Sequence, residues 1–338
     1  MTRFALRHLQ RLTRSVGRAG PGARAVAVYA EPGGRNTNAP LQARSAREQG
    51  IEGVACVDDA ARAVVLYSVI RRRRRLASAG AAESGLLRFL AHMQDDDGRF
   101  GNFILDWSGR RNRIGSTSRV GGSAWQARAL HALAFGHGSE WAERFERALR
   151  WVDEPSPYLD VRAVGVLAVL EHWRATGSSD AADRALTWSR EIAAHWSASG
   201  LLNAPGVPVI HLWGHLQEVA LADTGRTFNE AGLVECARAS AEALLLPAVE
   251  SSFDFARVLP FDVSCTVAGL AAVARATSIE RYAVAAEQGR QWFHGRNSAE
   301  QPVYDAQHGI VFDGIDNGQV SRNSGAESNI EGALALLG

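Results

Sequence analysis

The chain has 338 residues, 46% hydrophobic and 22% charged, the composition of a globular protein long enough to bury a large core. Its 37 Lys+Arg and 36 Asp+Glu nearly cancel to a formal +1, which removes any global electrostatic case for a nucleic-acid partner or an anionic membrane. Cys56, Cys236 and Cys265 stand far apart with no CxxC, so neither a disulfide framework nor a zinc cluster is expected, and a reducing cytoplasm is the default compartment.

The opening "MTRFALRHLQRLTRSVGRAG" carries arginines at 3, 7, 11, 14 and 18, which at helical pitch make a basic stripe opposite Ala5, Leu9, Leu12 and Val16. It lacks the apolar centre and cleavage site of a secretory leader, and no apolar run in the chain reaches about 18 residues. The expectation is an opening helix with a solvated basic face; contact with a membrane surface or a partner is the alternative. "RAVAVYA" reads as strand-like and "EPGGRNTNAP" (31 to 40) as a loop. Residues 1–49 thus form a basic helix and loop leading into one domain, 50–338.

From there the 3.6-residue period dominates, with helices expected near 57–75, 84–94, 121–136, 139–152, 158–176, 180–198, 211–224, 229–246, 261–277, 279–294 and 325–337. They alternate in character. "CVDDAARAVVLYSVI", "GGSAWQARALHALAFG", "YLDVRAVGVLAVLEHW", "FDVSCTVAGLAAVARA" and "ESNIEGALALL" are small and apolar nearly all round, whereas "EWAERFERALRWV" and "AADRALTWSREIAAHW" have a charged face. The first kind belongs inside and the second outside. Alternation through six pairs predicts an all-α fold, an (α/α)6 toroid of inner and outer helices. Residues 99–122 and 301–323 are longer connections with aromatic or alternating runs, so a short β-hairpin-like insertion is expected in each. "RRRRR" at 71–75 ends a helix, where basic residues suit the dipole.

Each inner helix opens with polar residues: Asp58 and Asp59, Ser123 and Gln126, Tyr158 and Asp160, His211 and His215, Asp262 and Ser264, then Asn323, Glu327 and Asn329. With parallel inner helices these starts converge on one mouth, a concave polar surface suited to a ligand. Asp58 and Asp59 point about 100° apart. One can cap the helix or pair with Arg62, and the other can face the cavity as an acid. Asp95 to Asp97 in "HMQDDDGRFGNF" form a solvated turn or a rim that binds sugar hydroxyls or a cation. His211 and His215 share a helical face with Glu218 close by, but "HLWGH" lacks the glutamate of HExxH. They are read, with Trp213, as pocket-lining groups or core, and no metal site is assigned. Neither GxSxG nor GxxxxGK[ST] is present.

Ser324 followed by Glu327 fits a capping box, and Glu331 lies one turn further into an apolar helix, where a carboxylate must be paired or used. An acid across the mouth from Glu327 would complete the pair that glycoside hydrolysis needs, one group to protonate the leaving oxygen and one to activate water or attack. Trp107, Trp125, Trp213 and Tyr304 beside many polar groups suit carbohydrate stacking.

The alternation over 50–338, with "LLRFLAHMQDDDGRFGNF", "GGSAWQARALHALAFG" and "PVYDAQHGIVFDGIDNGQVSRNSGAESNIEGALALL", resembles the six-hairpin glycosidase-like group of (α/α)6-barrel carbohydrate-active enzymes. The last segment is similar to one in uncharacterised bacterial barrel proteins associated with glycosyltransferases. The resemblance implies a sugar cleft at the mouth and catalysis by carboxylates. The expectation is a glycoside hydrolase with no cofactor, acting on an oligosaccharide or polysaccharide. Its acids are Asp58 or Asp59 and Glu327, with Asp262 as a further candidate; substrate contacts come from Asp97, Trp125, Gln126, His211, Trp213, His215, Tyr304, Asp313, Asn323 and Glu331. A polysaccharide lyase is an alternative reaction. A non-catalytic glycan- or protein-binding toroid is another, and predicts mouth acids paired with Arg62, Arg119, Arg128 or Arg322. "FLAHMQDDDGRFGNF" also resembles the glutamine and tryptophan repeat of terpene cyclases, whose DxDD and DDxxD motifs are missing here.

Overall fold

A helix covered by Ala, Gly and Val on every side can be enclosed by other helices without burying charge, and this property sorts the chain into two rings. The computed structural model describes residues 4–33, 37–40, 51–74, 77–153 and 156–337. Arg3, Arg75, residues 34–36 of the expected loop and residues 41–49 of the leading segment lie outside the described residues.

The helices are α1 (Arg7–Leu12), α2 (Val57–Arg74), α3 (Ala77–Met93), α4 (Ser123–Leu133), α5 (Ser139–Leu149), α6 (Leu159–Thr176), α7 (Ser179–Ala193), α8 (Gln217–Phe228), α9 (Ala231–Ser240), α10 (Pro260–Thr277), α11 (Glu280–Arg290) and α12 (Ala326–Leu337). Helix α9 runs on through a π turn, Ala241–Leu245, into Leu246–Glu250. Pro247 has no N–H to donate back along that helix, a local cause for the widened turn.

The even-numbered helices from α2 to α12 form the inner ring: α2 packs on α4, α4 on α6, α6 on α8, α8 on α10, α10 on α12, and α12 back on α2. The outer helices α3, α5, α7, α9 and α11 each pack on the inner helix before them. This is the (α/α)6 barrel. Small residues permit its crowding: a Cβ on Gly269 of α10 would lie 2.6 Å from Leu245 and 3.5 Å from Glu218 on α8. The outer helices bury one stripe only, as in α5, where Phe145, Ala148 and Leu149 point inward.

The sixth outer position is filled by α1, from the opposite end of the chain, which packs on α12. Leu9, Leu12 and Val16 are buried, as the stripe pattern predicts, but the helix is far shorter than expected. After Leu12 the chain straightens, and Thr13–Ser15 pairs antiparallel with Arg24–Val26. Arg7 donates to the Gln307 carbonyl at 3.0 Å, so part of the basic face ties down a neighbouring loop. No described helix is long and apolar enough to cross a membrane.

Two local expectations change, and a third, the hairpin in 301–323, is met twice over. Within the segment expected as a loop at 31–40, Ala30–Gly33 pairs antiparallel with Thr37–Pro40. Within 99–122, Phe103–Ile104 pairs with Ala55–Cys56, just ahead of α2, more than with its own segment. Residues 301–323 hold two hairpins, Tyr304–Asp305 with Ile310–Val311 and Gly314–Asp316 with Gln319–Ser321; the second also takes up Arg257–Val258, just ahead of α10.

At the other end of the barrel the arginine run works across helices. Arg71 binds Glu83 on α3 at 2.8 Å, Arg72 pairs with Glu171 near the end of α6, and Arg73 donates to the Leu337 carbonyl at the end of α12. Cations thus gather where inner helices expose unsatisfied carbonyls.

Candidate functional site

Five of the six inner helices carry a carboxylate in their first turn: Asp58 and Asp59 on α2, Asp160 on α6, Glu218 on α8, Asp262 on α10 and Glu327 on α12. Helix α4 has none and instead sends Arg128 to Asp58, Nε to Oδ1 at 2.6 Å. The partial positive charge at each helix start is therefore met largely by the protein's own acids.

Arg62, one turn into α2 and buried, is the hub. Its Nη2 reaches Asp59 at 2.7 Å, Asp58 at 3.1 Å and Glu327 at 3.1 Å, while Nη1 reaches Glu331 at 3.1 Å. The guanidinium lies 4.8 Å from the Phe261 ring centre, and that of Arg128 lies 5.1 Å from it. Trp213 meets Phe261 edge-on at 5.3 Å and points its indole N–H toward Glu327 Oε1 at 3.5 Å.

These acids differ in character. Burial pushes Asp59 up to about 7 in spite of Arg62, and the Cys56 thiol donates to its Oδ2 at 3.2 Å. Burial raises Glu331 as well, against Arg62 and Arg128. Asp262 is lifted to about 6, chiefly by burial and further by the charge of Glu327, although the Leu259 N–H bonds its Oδ2 at 2.7 Å. Burial also raises Asp160, opposed by the Val161 N–H and by His211 and Arg128. Asp58 and Glu327 keep part of their surface in solvent, with 31% of the Glu327 side chain exposed.

The structure brings Asp58, Asp59, Glu327 and Glu331 together around one guanidinium and sets Asp262, His211 and Trp213 beside them. Neither Asp58 nor Asp59 caps α2 with its side chain; Asn102 does, accepting the Asp58 N–H at 3.2 Å. The capping box at Ser324 is also replaced. Asp313 accepts from the Gly325 N–H at 3.0 Å and from the Ser328 hydroxyl at 2.5 Å, while the Ser324 hydroxyl turns to the Val311 carbonyl. Glu327 is thereby released from capping and turned toward Arg62.

His211 and His215 do not share a helical face, because Gly214 takes φ +72° and α8 starts only at Gln217. His215 is buried in a polar chain, with Nδ1 3.2 Å from Asn203 and Nε2 3.1 Å from Glu218, which also accepts from Ser240. His211 stays at the mouth with Nδ1 2.9 Å from the Trp213 carbonyl.

The remaining expected contacts have structural partners. Gln126 is buried and bonds the Phe100 N–H at 3.0 Å and the Gly98 and Ala148 carbonyls at 3.1 and 3.3 Å. Trp125 donates to the Phe100 carbonyl at 3.0 Å, and Asp97 pairs with Arg99 at 2.6 Å on the outer turn after α3. The Tyr304 hydroxyl accepts the Ala5 N–H at 2.9 Å while its ring stacks on Phe4, and Asn323 binds the Tyr29 hydroxyl. Buried groups with engaged polar atoms have little left to offer a ligand. Sequence reasoning missed Phe261, whereas the pairing of mouth acids with Arg62 and Arg128, expected of a binding toroid, is present.

No family model matches the sequence, and no curated protein matches it. Solved structures share the fold. A D-mannose isomerase superposes with a TM-score of 0.69 at 12% identity, covering 93% of this chain and 91% of its own. A cellobiose 2-epimerase from Spirochaeta thermophila gives 0.68 at 13% identity, with 94% and 90% covered. A family 76 glycoside hydrolase from a bovine Bacteroides thetaiotaomicron strain gives 0.63 at 11% identity, with 98% and 76% covered. The chain has the six-hairpin (α/α)6 fold that these proteins share.

Proposed function

We propose that this chain is a carbohydrate-active enzyme whose chemistry is acid–base catalysis at the barrel mouth. One observation carries the reading: Glu327, ion-paired to Arg62, and Asp262, pushed up to about 6 by burial, influence one another across a mouth that also presents Trp213. A buried carboxylate that retains its proton, beside a second carboxylate held by an arginine, is an arrangement suited to an acid and a base. In the hydrolase reading Asp262 gives its proton to the leaving glycosidic oxygen, and Glu327 activates water or attacks the anomeric carbon. Asp59 and Glu331, buried behind Arg62, hold that arrangement in place. The fold's occurrence in proteins named as sugar isomerases, epimerases and glycoside hydrolases supports a sugar substrate.

A second reading rests on His211. Its Nδ1–H donated to the Trp213 carbonyl leaves Nε2 with a free lone pair, and the imidazole feels the charges of both Asp160 and Asp262. Such a group suits proton abstraction beside a sugar carbonyl, the step of an isomerase or epimerase.

One experiment separates the readings. Purified protein is incubated in D2O with neutral mono- and oligosaccharides, following new reducing ends and deuterium uptake at C2, beside Glu327→Gln, Asp262→Asn and His211→Asn. New reducing ends lost in Glu327→Gln and Asp262→Asn support hydrolysis. Deuterium uptake lost in His211→Asn supports epimerisation or isomerisation. Neither product, with sugar binding intact, would leave a glycan-binding toroid.

A further inference from the structure

The mouth does not end at Asp262. A cavity of about 650 Å³ opens from His211 and Asp262 and runs outward along the π turn after α9, over Leu244 and Pro247, to Phe255 and Arg257. This is within the usual size range of small-molecule sites. Its far wall is formed by an unusual turn. Ser252 and Phe253 adopt consecutive left-handed conformations, φ +55° and +56°, costly for residues with side chains. The turn buries Phe253 and delivers Phe255 to the surface, where it is 47% exposed.

We propose that this cavity is a second sugar subsite, so that the substrate is a neutral saccharide of at least two rings. The inference rests on the reading of the mouth as a carbohydrate site. The reacting ring lies between Glu327 and Asp262, and the adjoining ring enters the cavity and stacks on Phe255. Aromatic faces and aliphatic walls of Leu244 and Pro247 match the C–H face of a pyranose, while Asp254 and Arg257 stand ready for its hydroxyls. The charge balance selects a neutral ring. Asp254 offsets the single cation Arg257 in the lining, and the start of α12 nearby carries its own carboxylate, so a phosphate or uronate gains little there.

Titration by ligand-observed NMR with cellobiose, maltose, lactose and mannobiose, and with glucose, galactose and mannose, tests this in wild type, Phe255→Ala, Ser251→Trp and Glu327→Gln. Phe255 and Ser251 are exposed, and melting temperatures verify that the variants fold. The expected result is that at least one disaccharide binds tenfold or more tightly than its component monosaccharides. Phe255→Ala and the cavity-filling Ser251→Trp should each erase that advantage and change monosaccharide binding less than twofold. Monosaccharide binding that depends on Glu327, with no disaccharide advantage, overturns the second subsite and leaves the mouth reading standing. Binding of no sugar overturns both. A disaccharide advantage untouched by Phe255→Ala and Ser251→Trp also overturns it, placing the second ring elsewhere.

Discussion

Glu327 Oε2 and Arg62 Nη2 are 265 residues apart in the chain and 3.1 Å apart in space. With the bond from Glu331 to the other terminal nitrogen, this contact fastens α12 to α2, where the inner ring closes. The same guanidinium holds Asp58 and Asp59 on its own helix. A single buried cation therefore organises four acids.

Removing it leaves those acids facing one another with Arg128, paired to Asp58, as the cation still beside them. Arg62→Met is expected to destabilise the fold by about 3–5 kcal/mol, the cost of breaking a buried ion pair on one side. Arg62→Lys recovers only part of this, since a point charge cannot reach Glu331 with one nitrogen and Asp59, Asp58 and Glu327 with another. Urea denaturation of the three proteins at one pH checks the order.

Asp59 gives stability a pH dependence of known sign. Its ordinary value is 3.8 and its folded value about 7, so the native state holds the proton more tightly than the unfolded chain. The resulting stabilisation is complete below pH 3.8 and is lost as pH rises through about 7. Asp59→Asn removes this dependence. Between pH 4 and 8 the difference in urea midpoint should shift steadily in favour of the variant; a constant difference would show that Asp59 titrates at its ordinary value.

Asp262 sets a limit on activity. As the proton donor it must be protonated, so kcat/KM should fall as pH rises through about 6. Asp262→Asn should lower kcat/KM by about 10²–10⁴-fold and abolish that limb. The amide oxygen can still accept the Leu259 N–H, so stability should change by less than about 1 kcal/mol.

Gln126 supports the rim from below. Gln126→Leu removes the acceptor of the Phe100 N–H and one of the donors to each of the Gly98 and Ala148 carbonyls, and is expected to cost about 1–3 kcal/mol. Thermal denaturation reads that loss. Sugar binding by the folded variant should persist, which a direct substrate contact would not allow.

The barrel was legible because its signal is repeated: small apolar helices and charged amphipathic helices alternate, and one misplaced boundary does not disturb the order. The starts of α2, α10 and α12 likewise announced their acids. What stayed hidden was partnership. The spacing of Ser324 and Glu327 is that of a capping box, yet Asp313 takes the capping role because a hairpin returns it to the helix start. The spacing of His211 and His215 is helical, yet Gly214 ends that possibility through one backbone angle. Arg62 could be matched locally to Asp58, but its bonds to Glu327 and Glu331 span 265 and 269 residues, beyond the reach of any periodicity.

The place of α1 on the rim bears on how the molecule assembles. Five helix pairs consist of consecutive segments and can form as soon as each leaves the ribosome. The sixth joins α1 to α12, with every other described helix between them in the sequence. Until α12 is in place, α1 lacks the helix it packs on, and the loop to be closed spans every other described helix. Ring closure is then a high-contact-order event.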